Sequence, residues 1–572
     1  MEVELVLLIL SLLFFASIFT DKIGYRLGVP ALLLFLAVGM IFGPDGLGRA
    51  LASAHGSTAV LSIGAAQAIG TISLCVILFS GGLDTKMADI QLVMAPGITL
   101  ATLGVLLTAT FTGVLLYFIA GWFHAAAGLS IWMALLIAST MSSTDSASVF
   151  SILRTNGVRL KHNLRPLLEL ESGANDPMAY ILTVTLIGVV TGGAKVSAVY
   201  IIQTVAVQLV MGAVIGFAFG KVVVELLKRT RFTNDALYPI MVFSACIFIF
   251  AVTYYLAGNP YLAVYIGGLI IGNSKFTKKR QTKSFFNALS WLCQLLMFLM
   301  LGLMVHPHEL LRPAVWMSGI FISVVMIFFA RPLSVILCML PYNKQFHQRD
   351  RLFLSWVGLK GAVPIIFAIL CMANDVPHAG FLFNVVFFCT LLSLLVQGTS
   401  INWLAGKLKL SLPAEEEHRL VYFDIDLPED VESSAWESQV TENLLANGDR
   451  LMDIVIPKHT LVIMVRRGDN FFVPRGDTQL QVGDQLLIIS DNNASKVVQE
   501  IEDEEEHILE HWGLLLLHHT GVFARSGWKR VLEKVRRERG RRDQGPSTKG
   551  QRTKYQVPRT EVNNTEENKT EA

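Results

Sequence analysis

Between residues 3 and 405 this chain returns thirteen times to long apolar runs, near 3–20, 29–44, 58–80, 93–120, 131–152, 166–191, 197–227, 236–257, 261–275, 285–304, 314–341, 351–373 and 379–405. Most approach the ~20 residues that a helix needs to cross the hydrocarbon core of a bilayer. Lipid offers no partner to a free N–H or C=O, so such runs can only be helices that satisfy their own backbone. The chain is 53% hydrophobic and 16% charged, against roughly 25% charged in soluble domains. Its charges gather beyond residue 413, where the apolar runs stop. The expectation is an all-α polytopic membrane protein over residues 1–405, with about thirteen spans, followed by a soluble tail.

The loops between runs set the orientation. Alternate loops hold Lys22, Arg26, Lys86, Arg154, Arg159, Lys161, Arg165, Lys228, Arg229, Arg231, Lys275, Lys278, Lys279, Arg280, Lys283, Lys344, Arg349 and Arg351, while the loops between them hold Arg49, Lys195 and Arg312. Basic loops stay on the cytoplasmic side. The N-terminus is therefore expected outside and the tail in the cytoplasm. The chain opens Met-Glu-Val-Glu, without the basic start of a signal peptide, so its first run reads as a retained helix.

Three stretches spoil otherwise apolar helices. Glu171-Ser-Gly-Ala-Asn-Asp-Pro177 places two acids just before the run from Met178 to Val190, and an ionisable group at membrane depth marks a functional site by default. A loop-end acid at the headgroups, or one locked in a structural salt bridge, is the plainer reading. Ser142-Ser-Thr-Asp-Ser-Ala-Ser148 interrupts the fifth run with hydroxyls and Asp145. Small residues also serve close helix packing, which accounts for the serines but not for Asp145. Gly358-Leu-Lys-Gly-Ala-Val-Pro364 interrupts the twelfth, where Pro364 removes a helical donor and the glycines loosen the turn.

One break in each half is the sequence pattern of an inverted-repeat transporter with a midplane site. Opposed half-helix ends would meet there, with Asp145 placed to neutralise the N-terminal ends and Lys360 the C-terminal ends. Arg331, buried in its own run, would need an acid such as Glu171. His306 and His308 read as solvated loop residues. The six cysteines all lie in apolar runs and read as small buried hydrophobes, not as a disulfide or metal framework. The net charge of +2 points to no nucleic-acid partner, and no nucleophile–base set or cofactor motif suggests an enzyme.

These residues resemble the NhaP/NHE-type cation:proton antiporters over about 1–405. The likeness rests on Glu171–Pro177, Thr144-Asp145, Arg331-Pro332, Gly358–Pro364 and the Gly-Asn-Pro…Gly-Gly-Leu segment at 258–269. It implies a homodimer in which a six-helix core, carrying two crossed and unwound helices, moves against a dimerisation domain. Asp176 would then bind cation and proton alternately, with Thr144, Asp145 and Ser172 completing the site. Asn175 and Arg331 would hold Glu171 in a supporting network with Lys360. Asn175 before Asp176 is associated with electroneutral exchange. The chain has Ser80 where relatives often carry an acid, Ser146 where many have Pro, and Lys360 where many have Arg. The Lys360 variant resembles the subgroup that exchanges potassium for protons and carries a TrkA-C-type cytoplasmic domain.

In the tail, apolar alternation predicts strands at Leu420–Leu427, Leu451–Ile456, Thr460–Arg466 and Leu486–Ile489. With Phe472–Thr478 and Val482–Leu487, in which Pro474, Gly476 and Gly483 would serve tight turns, the stretch 413–492 resembles a small α/β TrkA-C (RCK-C) regulatory domain. It would act as a ligand sensor or as a dimerisation module. Residues 493–572 carry an acidic run, an apolar patch and a basic stretch, and read as a largely disordered tail, with lipid contact by the basic stretch as the alternative. The functional expectation is a potassium/proton antiporter of an inner membrane, with no cofactor and no metal beyond the transported cation. The alternatives are a Na+(Li+)/H+ antiporter, a potassium channel, which would need Thr-x-Gly-Tyr-Gly filter loops absent from the chain, or a membrane sensor.

Overall fold

The computed structural model describes residues 11–19, 31–46, 62–120, 130–155, 158–192, 198–413, 435–440, 444–445, 448–454, 460–468 and 470–490. The chain divides into two units, Met1–Glu417 and His418–Ala572. In chain order the first runs through α1 (Ala31–Ile41), α2 (Ile63–Asp84), α3 (Met94–Phe118), α4 (Ile131–Thr140), α5 (Ser146–Thr155), β1 (Val158–Leu160), α6 (Leu164–Val190), α7 (Ala198–Arg229), α8 (Leu237–Tyr255), α9 (Pro260–Gly272), α10 (Lys279–Met304), α11 (Pro313–Tyr342), α12 (Gln348–Trp356), α13 (Val363–Ala373), α14 (Ala379–Lys407) and β2 (Ser411–Pro413). Among the described residues, eight of these helices are long and apolar enough to cross a membrane, and α1, α4, α9 and α13 are shorter apolar helices. The first expected span is described only over residues 11–19, which are helical.

Local chemistry sets the helix ends. Ser62, Ser130 and Asn259 accept from the backbone N–H of Ala65, Met133 and Leu262 at 3.3, 3.1 and 3.0 Å, each satisfying a first-turn donor that has no helical partner. Inside the spans, hydroxyls bond back to their own helix, as Thr108 does to the Gly104 carbonyl and Thr253 to that of Ile249. A hydroxyl disposed of in this way needs no water.

The helices sort into two bundles. α1, α2 and α7–α10 pack on one another, and α3–α6 pack with α11–α14. Contact between the bundles runs mainly through α6 and α13, which lie against α9 and α2. The first bundle closes by small-residue crossings: a Cβ on Gly82 or Gly268 would collide with the backbone of the facing helix, α9 or α2. Van der Waals contact between closely approaching backbones is what drives such packing in lipid. In the second bundle α3, α11 and α14 each contain a five-residue π-helical stretch, at Leu100–Gly104, Met326–Ala330 and Leu394–Gly398. The stretch in α11 ends against Arg331-Pro332, where Pro332 has no N–H to offer the preceding turn.

β1 pairs antiparallel with β2, Val158 opposite Pro413 and Leu160 opposite Ser411. The chain leaving α14 is thereby tied to the loop between α5 and α6.

The second unit contains β3 (Ala435–Gln439), β4 (Thr460–Arg467), β5 (Asn470–Phe472) and β6 (Gln485–Ser490) in an antiparallel sheet of order β3-β6-β4-β5. Val440, Ile454, Val462, Val465, Leu480, Leu486 and Ile488 form its core. A bulge between Val462 and Met464 resets the alternation, so Val462 and Val465 are both buried. Two of the expected strands are thus present as β4 and β6. Leu451–Asp453 forms turns instead, because the Leu451 and Met452 amides hook onto the carbonyls of Thr478 and Gly476. Leu420–Leu427 and the tail from 493 lie outside the described residues.

Candidate functional site

α4 stops at Thr140, and Ser142–Asp145 runs non-helically to the start of α5. These residues bond to nearby backbone, which competes with continuing the helix: the Ser142 hydroxyl donates to the Ser139 carbonyl at 2.7 Å. Asp145 caps α5, accepting from the Ser148 amide at 3.0 Å and from its hydroxyl at 2.5 Å. α12 stops at Trp356, and α13 restarts at Val363 with Pro364 in its first turn, where its missing N–H does no harm.

The two breaks cross. The Asp145 amide donates to the Leu359 carbonyl at 2.8 Å, and Lys360 Nζ donates to the Ser143 carbonyl at 2.8 Å. Lys360 thus serves the C-terminal end of α4, and Asp145 the N-terminal end of α5. A Cβ on Gly361 would fall on the Asp145 carboxylate, so only glycine allows the breaks to lie this close. The loosened backbone of the second break is held by α14. Ser393 accepts from the Lys360 amide at 3.0 Å and donates to Gln397 at 2.5 Å, and Gln397 donates to the Trp356 carbonyl at 2.7 Å.

α6 passes the crossing and presents Ser172, Asn175 and Asp176 at i, i+3 and i+4, one face of a helix. The Ser172 hydroxyl donates to the Thr144 carbonyl at 3.0 Å and accepts from the Ser146 amide at 3.2 Å. Asn175 Nδ2 donates to Thr144 Oγ1 at 2.5 Å. Asp176 is buried, and its Oδ1 has no hydrogen-bond partner among the described residues, nor has Asn175 Oδ1. The Ser143 hydroxyl hydrogen-bonds the Asp176 carboxylate, and Asp145 and Lys360 act on it electrostatically. Pro177 leaves the Gly173 carbonyl without its helical donor one turn away.

Glu171 is held elsewhere. Arg331 Nη2 donates to its Oε1 at 2.5 Å, with both side chains almost wholly buried. Thr144, Asp145, Ser172, Asn175, Asp176 and Lys360 therefore come together at the crossing, and Glu171 with Arg331 beside it. Of the expected supporting network, Arg331 bonds Glu171, while Asn175, one turn beyond Glu171 on α6 and turned toward the break, bonds Thr144.

Three residues here escaped the sequence reading. Ser393 and Gln397 were visible only as polar side chains at i and i+4 in an apolar run. Asn259, noted only as part of a motif, donates from Nδ2 to the Pro177 carbonyl at 2.7 Å while capping α9, and so joins the first bundle to α6 next to Asp176. His306 and His308 are not simply solvated: both reach Asp45. The six cysteines are free and buried.

The donor set at the crossing is carboxylate, hydroxyl and peptide oxygen. Such ligands suit a hard cation that sheds part of its water, and the absence of imidazole or thiolate among these side chains argues against a resident transition metal. A proton competes for the same carboxylate oxygens.

The sequence profile described as "Sodium/hydrogen exchanger, transmembrane" matches residues 9–407, and that of the TrkA-C domain matches residues 437–501. The chain is 36% identical over 495 residues to the K(+)/H(+) antiporter NhaP of Alkalimonas amylolytica, covering 85% of this chain and 81% of that one. It is 36% identical over 498 residues to the K(+)/H(+) antiporter NhaP2 of Shewanella sp. (strain MR-4), covering 86% and 82%. Among solved structures, the sodium proton antiporter MjNhaP1 from Methanocaldococcus jannaschii has a TM-score of 0.59 at 21% identity, covering 71% of this chain and 99% of that one. That likeness is one of fold.

Proposed function

The chain belongs to the sodium/hydrogen exchanger family, as a multi-pass cation:proton antiporter with a cytoplasmic TrkA-C domain, and from that premise we propose that potassium is the cation it exchanges for protons. The relatives named for potassium resemble it over most of both chains. Sodium is the second reading, since the structural neighbour of like fold is a sodium proton antiporter.

One observation carries the site: Asp176 is buried on α6 beside two crossed helix breaks, with a carboxylate oxygen that no described residue satisfies. In this reading Asp176 takes a proton from one side, gives it up, and accepts a cation in its place. Thr144, Asp145 and Ser172 border that cation with hydroxyl and carbonyl oxygens. Lys360 and Asp145 hold the half-helix ends, and the Glu171–Arg331 pair and Asn175 brace α6. Competition for one carboxylate couples the fluxes, provided the site opens to one side at a time. With Asn175 in place of a second acid, one cation exchanges for one proton and the cycle is electroneutral.

The proposal extends to organisation. Residues 1–405 carry transport, 413–492 regulate it in response to a ligand or by dimerisation, and 493–572 form a charged tail. The protein works as a homodimer in an inner membrane, with its N-terminus outside, as the basic loops indicate. The test is dissipation of a pH gradient in everted vesicles with K+, Na+ and Li+ side by side. Potassium is expected to collapse the gradient fastest. A faster response to Na+ or Li+ overturns the potassium assignment, and equal failure of all three overturns exchange at this site.

A further inference from the structure

On the face opposite the basic loops, the turn after α1 meets the link from α10 to α11. There His308 Nδ1 lies 2.5 Å and His306 Nδ1 3.2 Å from the two oxygens of the Asp45 carboxylate. The three ligand atoms all fall within 4.8 Å of one another. A tetrahedral Zn2+ bound at about 2.0–2.2 Å keeps its ligands roughly 3.4 Å apart, so small movements would admit an ion between them. The side chains are open, His306 46% and His308 61% exposed, which leaves an entry path and room for a water as fourth ligand. Two imidazoles with one carboxylate suit Zn2+ and its transition-metal neighbours over Mg2+ or Ca2+.

The location gives such an ion leverage. Asp45 follows α1, whose Gly39 is packed on Gly302 of α10 in the first bundle. Next to His308, Glu309 accepts a hydrogen bond at 2.7 Å from Asn384 Nδ2 of α14, in the second bundle. The link carrying His306 and His308 is thus a strap between the two bundles on this face. We propose that Asp45, His306 and His308 bind a Zn2+-class ion, and that the ion slows exchange by fastening this strap to the turn after α1. A second histidine pair, His162 and His347 around Asp350, differs in kind. Asp350 is wholly buried and caps α12 through the His347 amide at 2.8 Å, and His347 Nδ1 stands 3.7 Å away.

The test uses the purified full-length protein titrated with Zn2+ by calorimetry in excess Mg2+. One ion should bind tightly per chain. The His306→Ala/His308→Ala protein should bind it about tenfold more weakly or worse, Asp45→Asn should also weaken it, and His162→Ala/His347→Ala should retain it. Metal-free thermal unfolding checks that each variant is folded. In proteoliposomes, Zn2+ on the strap side should slow the wild type and spare the His306→Ala/His308→Ala protein. Equal binding by wild type and that variant overturns the site. Binding that the variant loses, with exchange insensitive to Zn2+ in both, overturns the fastening.

Discussion

Glu171 and Asp176 ride the same helix and are both buried, yet their surroundings are opposite. Arg331 meets Glu171 directly, while Lys360, whose charge acts on Asp176, donates from Nζ to the Ser143 carbonyl. A charge that is paired in a low-dielectric site is fixed in its state, and holding it there is a structural act. Each acid leaves one oxygen without a hydrogen bond among the described residues, Glu171 Oε2 and Asp176 Oδ1, but Asp176 has no arginine ion pair to hold its state, so it is the one placed to change its occupant. In the proposed reading, five positions on one helix divide bracing from binding, and the division is set by what faces each residue rather than by the residue itself.

The most decisive attempt to break this contrast is Asp176→Asn. Exchange should fall below detection with K+, Na+ and Li+ alike, a loss of at least about 100-fold, while the thermal midpoint of the purified protein stays close to wild type. Retained exchange would end the distinction. Arg331→Ala should do the reverse, costing about 3–5 kcal/mol by stranding Glu171, read as a lower thermal midpoint and poor yield. The paired change Glu171→Gln/Arg331→Met should recover much of that stability. An Arg331→Ala protein as stable as wild type would show that the pair does not brace α6.

Smaller effects sharpen the same line. Asn259→Ala removes two hydrogen bonds, the cap of α9 and the bond to the Pro177 carbonyl, each worth about 0.5–1.5 kcal/mol, and the second joins the two bundles at Pro177. It should therefore change the rate of exchange by several-fold while lowering the thermal midpoint less than Arg331→Ala does. The smallest effect belongs to a pair outside the membrane. Arg467 grips Asp484 through two bonds, at 2.9 and 2.7 Å, and is itself 36% exposed. Burial on its own would raise the Asp484 carboxyl, but the Arg467 bonds hold it below the usual carboxylate range. Its contribution is thus present above pH ~4, the ordinary carboxylate range, and is lost as pH falls through the lowered value. Arg467→Ala should cost about 1 kcal/mol or less near neutrality, seen as faster amide exchange in β4 and β6. Both acids are buried, so an effect as large as that of Arg331→Ala would mean that the exposure of the arginine is not what separates the two pairs.

The breaks were legible because they require residues that a lipid-facing helix avoids. Ser142–Asp145 and Gly358–Pro364 announce themselves by hydroxyls, a carboxylate, glycines and a proline, and at the crossing Lys360 reaches over to the C-terminal end of α4 while Asp145 caps α5. The partners that finish the site were not legible. Ser393, Gln397 and Asn259 are ordinary polar residues until packing brings them to Lys360, Trp356 and Pro177. The bond from Asn175 to Thr144 depends on how α6 is turned, which periodicity alone does not set. In the cytoplasmic unit, β4 is legible despite its bulge, β5 is too short for alternation to show, and Leu451 reads as a strand residue because its turn is apolar.

The pairing of β1 with β2 bears on how the molecule can be divided. A transport unit cut after Lys407 would keep every apolar helix and still lose the strand that covers Val158–Leu160. Three residues of open β-edge would then face the solvent, ready to recruit the same edge of a neighbouring molecule. Cutting after Pro413 keeps that edge covered, so six residues separate a truncation that stays dispersed from one that clumps.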